Sequence, residues 1–184
     1  MKIEETILPG VLVLTPDRFG DHRGWFSESW NRTRMQKAGL DYDFVQDNHS
    51  LSAQAGTLRG LHFQIPPHEQ VKLVRCGRGA LYDVAVDIRK GSPTYGQWVG
   101  EVLTPDNGRQ LLIPDGFAHG FVTLSAQSEV IYKVAGAYEK AAEGAIRWDS
   151  CAIRWPWAYD VELKEADATA PSLAEFDSPF VWKG

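Results

Sequence analysis

Cysteine is scarce in this chain of 184 residues: only Cys76 and Cys151 occur, too few for a disulfide framework. Long apolar runs are missing as well, and none approaches the roughly 18 residues of a membrane span. The opening residues, Met1-Lys2-Ile3-Glu4-Glu5, carry acid where a secretion signal would carry a basic and then an apolar stretch. A cytoplasmic location is therefore expected. Positive charge is in deficit, with 19 Lys and Arg against 24 Asp and Glu and a net charge of −5. That argues against nucleic-acid binding, which is driven by phosphate electrostatics, but leaves room for a small anion held by a few arginines. Repeats, low-complexity tracts and linkers are absent. Apolar residues at 43% and charged residues at 23% rule out a disordered, collagenous or coiled-coil chain. Residues 1–184 read as a single domain, able to bury about 70% of its unfolded surface without staples.

Helix signals are few. Asn31 to Ala38 is predicted as one short helix ended by Gly39, and Ser172 to Phe176 as a second. The rest is short strands between turn residues. The clearest are Val11–Leu14, Gly24–Trp30, Leu58–Gln64, Val71–Cys76, Ala80–Ile88, Trp98–Leu103, Arg109–Ile113, His119–Leu124 and Glu129–Ala135. Turns fall at Pro66-Pro67, Gly77/Gly79, Gly91-Ser92-Pro93, Pro105 to Gly108 and Pro114-Asp115-Gly116. This spacing predicts an all-β sandwich or barrel, with a jelly roll as its natural closure. The seven Trp, six Tyr and eight Phe are expected in the core and at a subunit interface.

Strand alternation assigns the faces. Tyr82, Val84, Val86 and Ile88 share one face of their strand; Leu81, Asp83, Ala85 and Asp87 share the other. Lys72 goes with Val74 and Cys76, His119 with Phe121 and Thr123, and Tyr132 with Val130 and Val134. Ionisable groups thus sit among apolar neighbours, which is costly unless they are paired or used. A barrel mouth lined this way is a candidate ligand site.

Two stretches concentrate chemistry: Arg59-Gly60-Leu61-His62-Phe63-Gln64 with Gln70-Val71-Lys72-Leu73, and Pro114 to Phe121. They resemble the two motifs of cupin barrels. The second, Pro-x-Gly-x-x-His, is intact. In the first, Gln64 replaces the second histidine of the metal-binding His-x-His. His62 and His119 alone make a poor metal site, since a catalytic metal usually takes three protein ligands, so no metal is expected. His62 has the titration range of a general base. Lys72 suits the stabilisation of an oxyanion, and Tyr132 suits an acid on the far side of a substrate. Singly, each residue is more often a packed or hydrogen-bonded strand residue. Together they suit proton abstraction beside a carbonyl. Arg23 and Arg59, each beside a glycine, suit phosphate contacts, though solvated arginines fit equally well.

Taken over its whole length, the chain resembles the dTDP-4-dehydrorhamnose 3,5-epimerases, a metal-free cupin-like family of the rhamnose pathway. The matching stretches are Asp21–Glu28, Gln46–Ser50, Leu58–Gln64, Gln70–Arg75, Asp83–Arg89, Ser92–Trp98, Ile113–Leu124 and Tyr132-Lys133, with Tyr138, Glu143 and Asp167–Pro171. The resemblance implies a cupin-type double-stranded β-helix with a few short helices. It implies His62 as the base that removes the C3 and C5 protons of a 4-keto sugar, with Asp167 as its dyad partner. Tyr132 would return a proton on the opposite face, and Lys72 would stabilise the enolate oxygen at C4. Asp83 and His119 would support the pocket, with His119 near the ligand. Arg23 and Arg59 would hold the diphosphate. Glu28, Gln46, Asp47, Asn48 and Glu143 would bind sugar or nucleotide, and Tyr138 would stack on the thymine. The resemblance further implies no cofactor and a homodimer whose Arg23 and Glu28 enter the partner's site.

Two features depart from the family. Ala166 stands where members often carry a basic residue, and the stretch Trp148 to Pro156 is shorter than usual. Other readings within reach are a 3- or 5-mono-epimerase, a non-catalytic sugar-nucleotide-binding cupin and a metal-dependent cupin.

Overall fold

Turn residues cut the chain into strands too short to span more than one sheet. The computed structural model describes residues 1–156 and 161–184. In order, these form β1 (Lys2–Glu5), β2 (Leu12–Thr15), β3 (Phe19–Asp21), β4 (Gly24–Phe26), α1 (Arg32–Lys37), β5 (Phe44–Ser52), β6 (Leu58–Gln64), β7 (Val71–Arg78), β8 (Leu81–Asp87), β9 (Trp98–Leu103), β10 (Gln110–Ile113), β11 (Phe117–Thr123), β12 (Ser128–Ala135), β13 (Glu143–Ala145) and α2 (Glu165–Ala168). Two antiparallel sheets result, ordered β1-β2-β10-β7-β12-β5 and β13-β6-β11-β8-β9, with β3-β4 as a separate hairpin. Among the described residues no helix is long and apolar enough to cross a membrane.

The predicted alternation is realised, and most of it is buried on both faces. Between the sheets lie Val74 and Cys76 of β7, Leu81 and Ala85 of β8, Phe117 and Phe121 of β11 and Val130 of β12. The opposite face of the five-stranded sheet carries Val84, Val86 and Ala118, covered by Ile146, Cys151, Trp155 and Phe180 from the later chain. The stretch Trp148 to Pro156 therefore covers part of this outer face. The opposite face of the six-stranded sheet carries Leu14, Leu73 and Leu112 and is covered by Met35 of α1. Coverage on both outer faces explains why strands such as β8 are buried throughout.

Sequence and structure part company in three places. The expected strand Gly24–Trp30 ends at Phe26. Beyond it the chain is held by side chains: Ser27 Oγ donates to the Asp17 carbonyl and Gln110 Nε2 to the Ser29 carbonyl. Asn31 then caps α1 by accepting from the Arg34 amide. Ser172 to Phe176 forms a turn, not a helix, in which Glu175 accepts from both the amide and the hydroxyl of Ser172. Finally, β1, β3, β5, β13 and α2 have no counterpart among the elements expected from the sequence. The polar run Gln46 to Ser50 hides β5, an edge strand exposed over most of its length.

Candidate active site

The site begins at two glycines. Gly60 in β6 has φ +132°, and a Cβ there would lie 2.5 Å from the Gly120 Cα. A Cβ on Gly120 would lie 2.8 Å from the Arg59 carbonyl oxygen. Only glycine at both positions lets β6 and β11 come this close. Here their register shifts between His119 and Phe121, which sets His62 opposite His119. The Gly60 amide donates to Asp167 Oδ2 at 3.2 Å, and His62 Nε2 meets Asp167 Oδ1 at 2.8 Å.

Asp167 is carried by α2 and is only 2% exposed. Burial pushes its carboxyl up, but the hydrogen bond and charge of His62, the Gly60 amide and Lys164 outweigh this and hold it below the usual value. An ionised carboxylate only accepts hydrogen bonds, so the His62 proton belongs on Nε2. Nδ1 is then left with its lone pair, as a base requires.

The facing wall comes from the other sheet: Lys72 from β7 and Tyr132 from β12, paired through the Tyr132–Val74 register. Desolvation drives the Lys72 ammonium from 10.5 down to about 8, against the pull of Asp83. Asp83 is fully buried; its Oδ1 meets His119 Nε2 at 2.7 Å, while Oδ2 has no hydrogen-bond partner. Its charge is balanced by Lys72 in place of a second hydrogen bond. Burial pushes His119 below its usual value despite Asp83, and the charges of Lys72 and His62 push the same way. A neutral His119 held by Asp83 fixes the floor and leaves His62 as the exposed imidazole, its side chain 39% exposed.

Gln64 has a different task from the metal-ligand histidine whose place it takes. Its amide nitrogen donates to the carbonyls of His68 at 2.6 Å and Ala137 at 3.2 Å, and its oxygen accepts from the Glu139 amide at 2.9 Å. It ties the loop after β6 to the loop that carries Tyr138.

A cavity of ≈ 280 Å³ opens between these walls, lined by His62, Lys72, Tyr132, Tyr138, Glu143 and Asp167 among others. Desolvation and the carboxylates of Glu143 and Glu139 raise the Tyr138 phenol above its usual value. The six residues came from six separate stretches of sequence, and the fold gathers them. A second cavity of ≈ 260 Å³ adjoins the first and is lined by Arg59 as well as His62 and Asp167. The remaining candidates stand apart from the first cavity. Arg23 is paired with Asp21 on the β3-β4 turn, and Glu28 with Arg34. On β5, Gln46 donates to Asn48, and Asp47 pairs with Lys133. Among the lining residues, Gly144, Ala145 and Lys164 escaped the sequence reading, while Gln70 and Ala166 were named there for other reasons. Lys164 carried one usable signal, its place three residues before Asp167.

Comparison with known proteins fits this geometry. The profile of the dTDP-4-dehydrorhamnose 3,5-epimerases matches residues 5–175. A dTDP-4-dehydrorhamnose 3,5-epimerase of Salmonella typhimurium strain LT2 is 51% identical over 176 residues, 94% of this chain and 96% of that protein. The crystal structure of a dTDP-6-deoxy-D-glucose-3,5-epimerase from Legionella pneumophila Philadelphia 1, in complex with dTDP-4-keto-L-rhamnose, superposes with a TM-score of 0.91. It is 44% identical, covering 96% of this chain and 94% of that one. A 3'-monoepimerase from Streptomyces bikiniensis in complex with dTDP-quinovose gives a TM-score of 0.88 at 30% identity, over 94% of this chain and 88% of that one. With its cupin-type jelly roll and this match along nearly its full length, the chain belongs to the dTDP-4-dehydrorhamnose 3,5-epimerase family.

Proposed function

We propose that this protein epimerises dTDP-4-dehydro-6-deoxy-D-glucose at C3 and C5 to dTDP-4-dehydro-L-rhamnose. The observation that carries the reading is the His62–Asp167 pair on one sheet facing Lys72 and Tyr132 on the other across a single cavity. The C4 carbonyl acidifies the C–H bonds on either side of it. His62 Nδ1 takes the proton, leaving an enolate whose oxygen at C4 is met by the Lys72 ammonium. In a desolvated pocket that charge pairing is stronger than in water. Tyr132 gives a proton to the opposite face, which inverts the centre; His62 then releases its proton to water, Tyr132 regains one, and the cycle repeats at the second carbon. Proton transfer alone completes each inversion, with no net oxidation and no group transferred. The higher identity to the double epimerases favours two inversions over one.

Arg59 serves the diphosphate in this reading, and Tyr138 with Glu143 the nucleobase. Arg23, Glu28, Gln46, Asp47 and Asn48 complete the site in a homodimer, with the β3-β4 hairpin of one copy reaching its partner. Phe19, Trp25 and Phe26 on that hairpin are 61%, 59% and 69% exposed, and Val45 and Leu51 on the β5 edge are 59% and 50% exposed. Apolar surface of this extent on a hairpin and an edge strand calls for cover. The test of the activity is the product. The 4-keto substrate is incubated with the protein, reduced with borohydride, and its sugars released and identified. Recovery of L-configured 6-deoxyhexoses supports the proposal; recovery of only D-configured sugars refutes it.

A further inference from the structure

Beyond α2 the chain returns to the end of β8 and is tied there. Ser178 Oγ donates to the Ile88 carbonyl. The Lys90 amide donates to the Phe180 carbonyl and the Trp182 amide to the Lys90 carbonyl, each at 2.9 Å. Between Lys90 and β8 stands Arg89, whose guanidinium is clamped by two rings, 4.2 Å from the centroid of Phe117 and 4.3 Å from that of Trp182. The fully buried Asp87 fixes it in turn, accepting from Arg89 Nε at 2.9 Å and Nη2 at 2.6 Å. Such a stack holds the Trp182 ring by cation–π attraction as well as by packing. Between these anchors Phe180 is only 6% exposed and meets Phe63 edge-on, with ring centroids 5.9 Å apart. Phe180, Phe117 and Phe63 wall a cavity of ≈ 10 Å³ that Lys72 also lines, room for about one water molecule. Lys72 lines the catalytic cavity too, so its side chain stands between the substrate pocket and this small void.

A wider void would let water reach the ammonium from the side away from the substrate. We infer that Phe180 is a positioning residue for Lys72: held by the Arg89 clamp, it seals the void beside the ammonium and keeps water from it. The inference rests on the catalytic reading of Lys72 given above and adds to it a residue from a distant stretch of the chain. A dry ammonium pairs more strongly with an enolate oxygen than a hydrated one does. On the described elements around Lys72, the charged and titratable groups are Asp83 of β8, His119 of β11, Tyr132 of β12, His62 of β6, Glu143 of β13 and Asp167 of α2. Tyr138 and Lys164 join them on the catalytic cavity, Asp115 lines the void, and the Arg89–Asp87 pair borders Phe117. None of these is replaced in the variants below, so a change in the titration of Lys72 reads its hydration.

The experiment follows Lys72 itself, by proton–carbon NMR of the full-length protein labelled at lysine and titrated with base, the Lys72 Cε signal being assigned by its loss in Lys72→Met. The wild-type ammonium is expected to titrate at about 8. Phe180→Ala opens the void to water and is expected to raise that midpoint by about one pH unit, toward the ordinary lysine value. Trp182→Ala loosens the clamp while keeping Phe180; it is expected to move the midpoint the same way by about half as much, and it decides the matter if Phe180→Ala does not fold. Phe176→Ala is the control. It removes the second ring packed on Phe63, at 5.0 Å and outside the void, and is expected to lower the Tm while leaving the midpoint in place. The inference is overturned if wild-type Lys72 titrates at the ordinary lysine value, or if Phe180→Ala lowers the Tm without moving the midpoint, which marks a purely structural role. It is overturned equally if Phe176→Ala moves the midpoint as far as Phe180→Ala does. Failure of the substrate reading looks different: the wild-type protein then leaves the 4-keto sugar unchanged at every pH, while the titration of Lys72 still decides the role of Phe180.

Discussion

Replacing Lys72 with Met is expected to stabilise the fold while destroying activity, and pH separates the two effects. In the folded protein the ammonium titrates at about 8 instead of 10.5, through desolvation opposed by Asp83. At about 1.4 kcal/mol per pH unit, the folded state gives up roughly 3 kcal/mol to keep this lysine charged at neutral pH. Met removes that cost but leaves the buried Asp83 Oδ2 without its counter-charge, so the net gain at pH 7 is smaller. The slope is cleaner than the absolute value. Between the two titration points the unfolded chain binds a proton that the folded chain does not, so wild-type stability rises with pH there. Measured against Lys72→Met, the wild type should gain about 2 kcal/mol on going from neutral pH to pH 9.5. Urea unfolding followed by tryptophan fluorescence, run on both proteins at both pH values, reads this directly. Turnover should move the other way, falling in the wild type as pH rises past 8, where the ammonium is lost. Parallel stability curves, or a Lys72→Met variant with turnover near wild type, would refute the reasoning.

Asp167→Asn should slow proton exchange by at least about a hundredfold, because it loses the negative, acceptor-only carboxylate that fixes the His62 proton and stabilises the imidazolium; rapid-mixing NMR reads the rate. Tyr132→Phe should form no epimerised product yet retain deuterium exchange at one carbon, since the base survives. Gln64→Ala strips partners from three backbone groups, which at about 1 kcal/mol each should lower the Tm by several degrees in calorimetry. Replacing Trp25 and Phe26 together with Ser should shift sedimentation from dimer to monomer and depress turnover; an unchanged sedimentation coefficient would count against the shared hairpin.

Much of this architecture was legible from local pattern. Leu58–Gln64 and Trp98–Leu103 were read with the bounds they have in the structure, because glycine and proline turns lie close to both ends of each. The alternation also placed Lys72, His119 and Tyr132 on inward faces, which is half of the site. The other half depends on long-range contact. Nothing local marks Asp167 as the partner of a histidine 105 residues earlier; the resemblance to a family supplied it. The glycine crossing beside His62 was visible only as two glycines, since its sense lies in how closely β6 and β11 approach. β5 stayed hidden because an exposed edge strand needs no apolar alternation. The four-residue α2 is too short for any periodicity and exists through its docking on β6. Gln64 invited comparison with a metal ligand, while its use as a tie between two loops required their positions in space.

The central claim is that one base, aided by Lys72 and Tyr132, abstracts protons on both sides of a single carbonyl. Proton NMR of dTDP-4-dehydro-6-deoxy-D-glucose incubated with the protein in deuterium oxide tests it most directly. The account requires deuterium to enter at both C3 and C5, with the exchange abolished by His62→Ala. Label at only one carbon would mean a mono-epimerase, and exchange that persists in His62→Ala would contradict the mechanism itself.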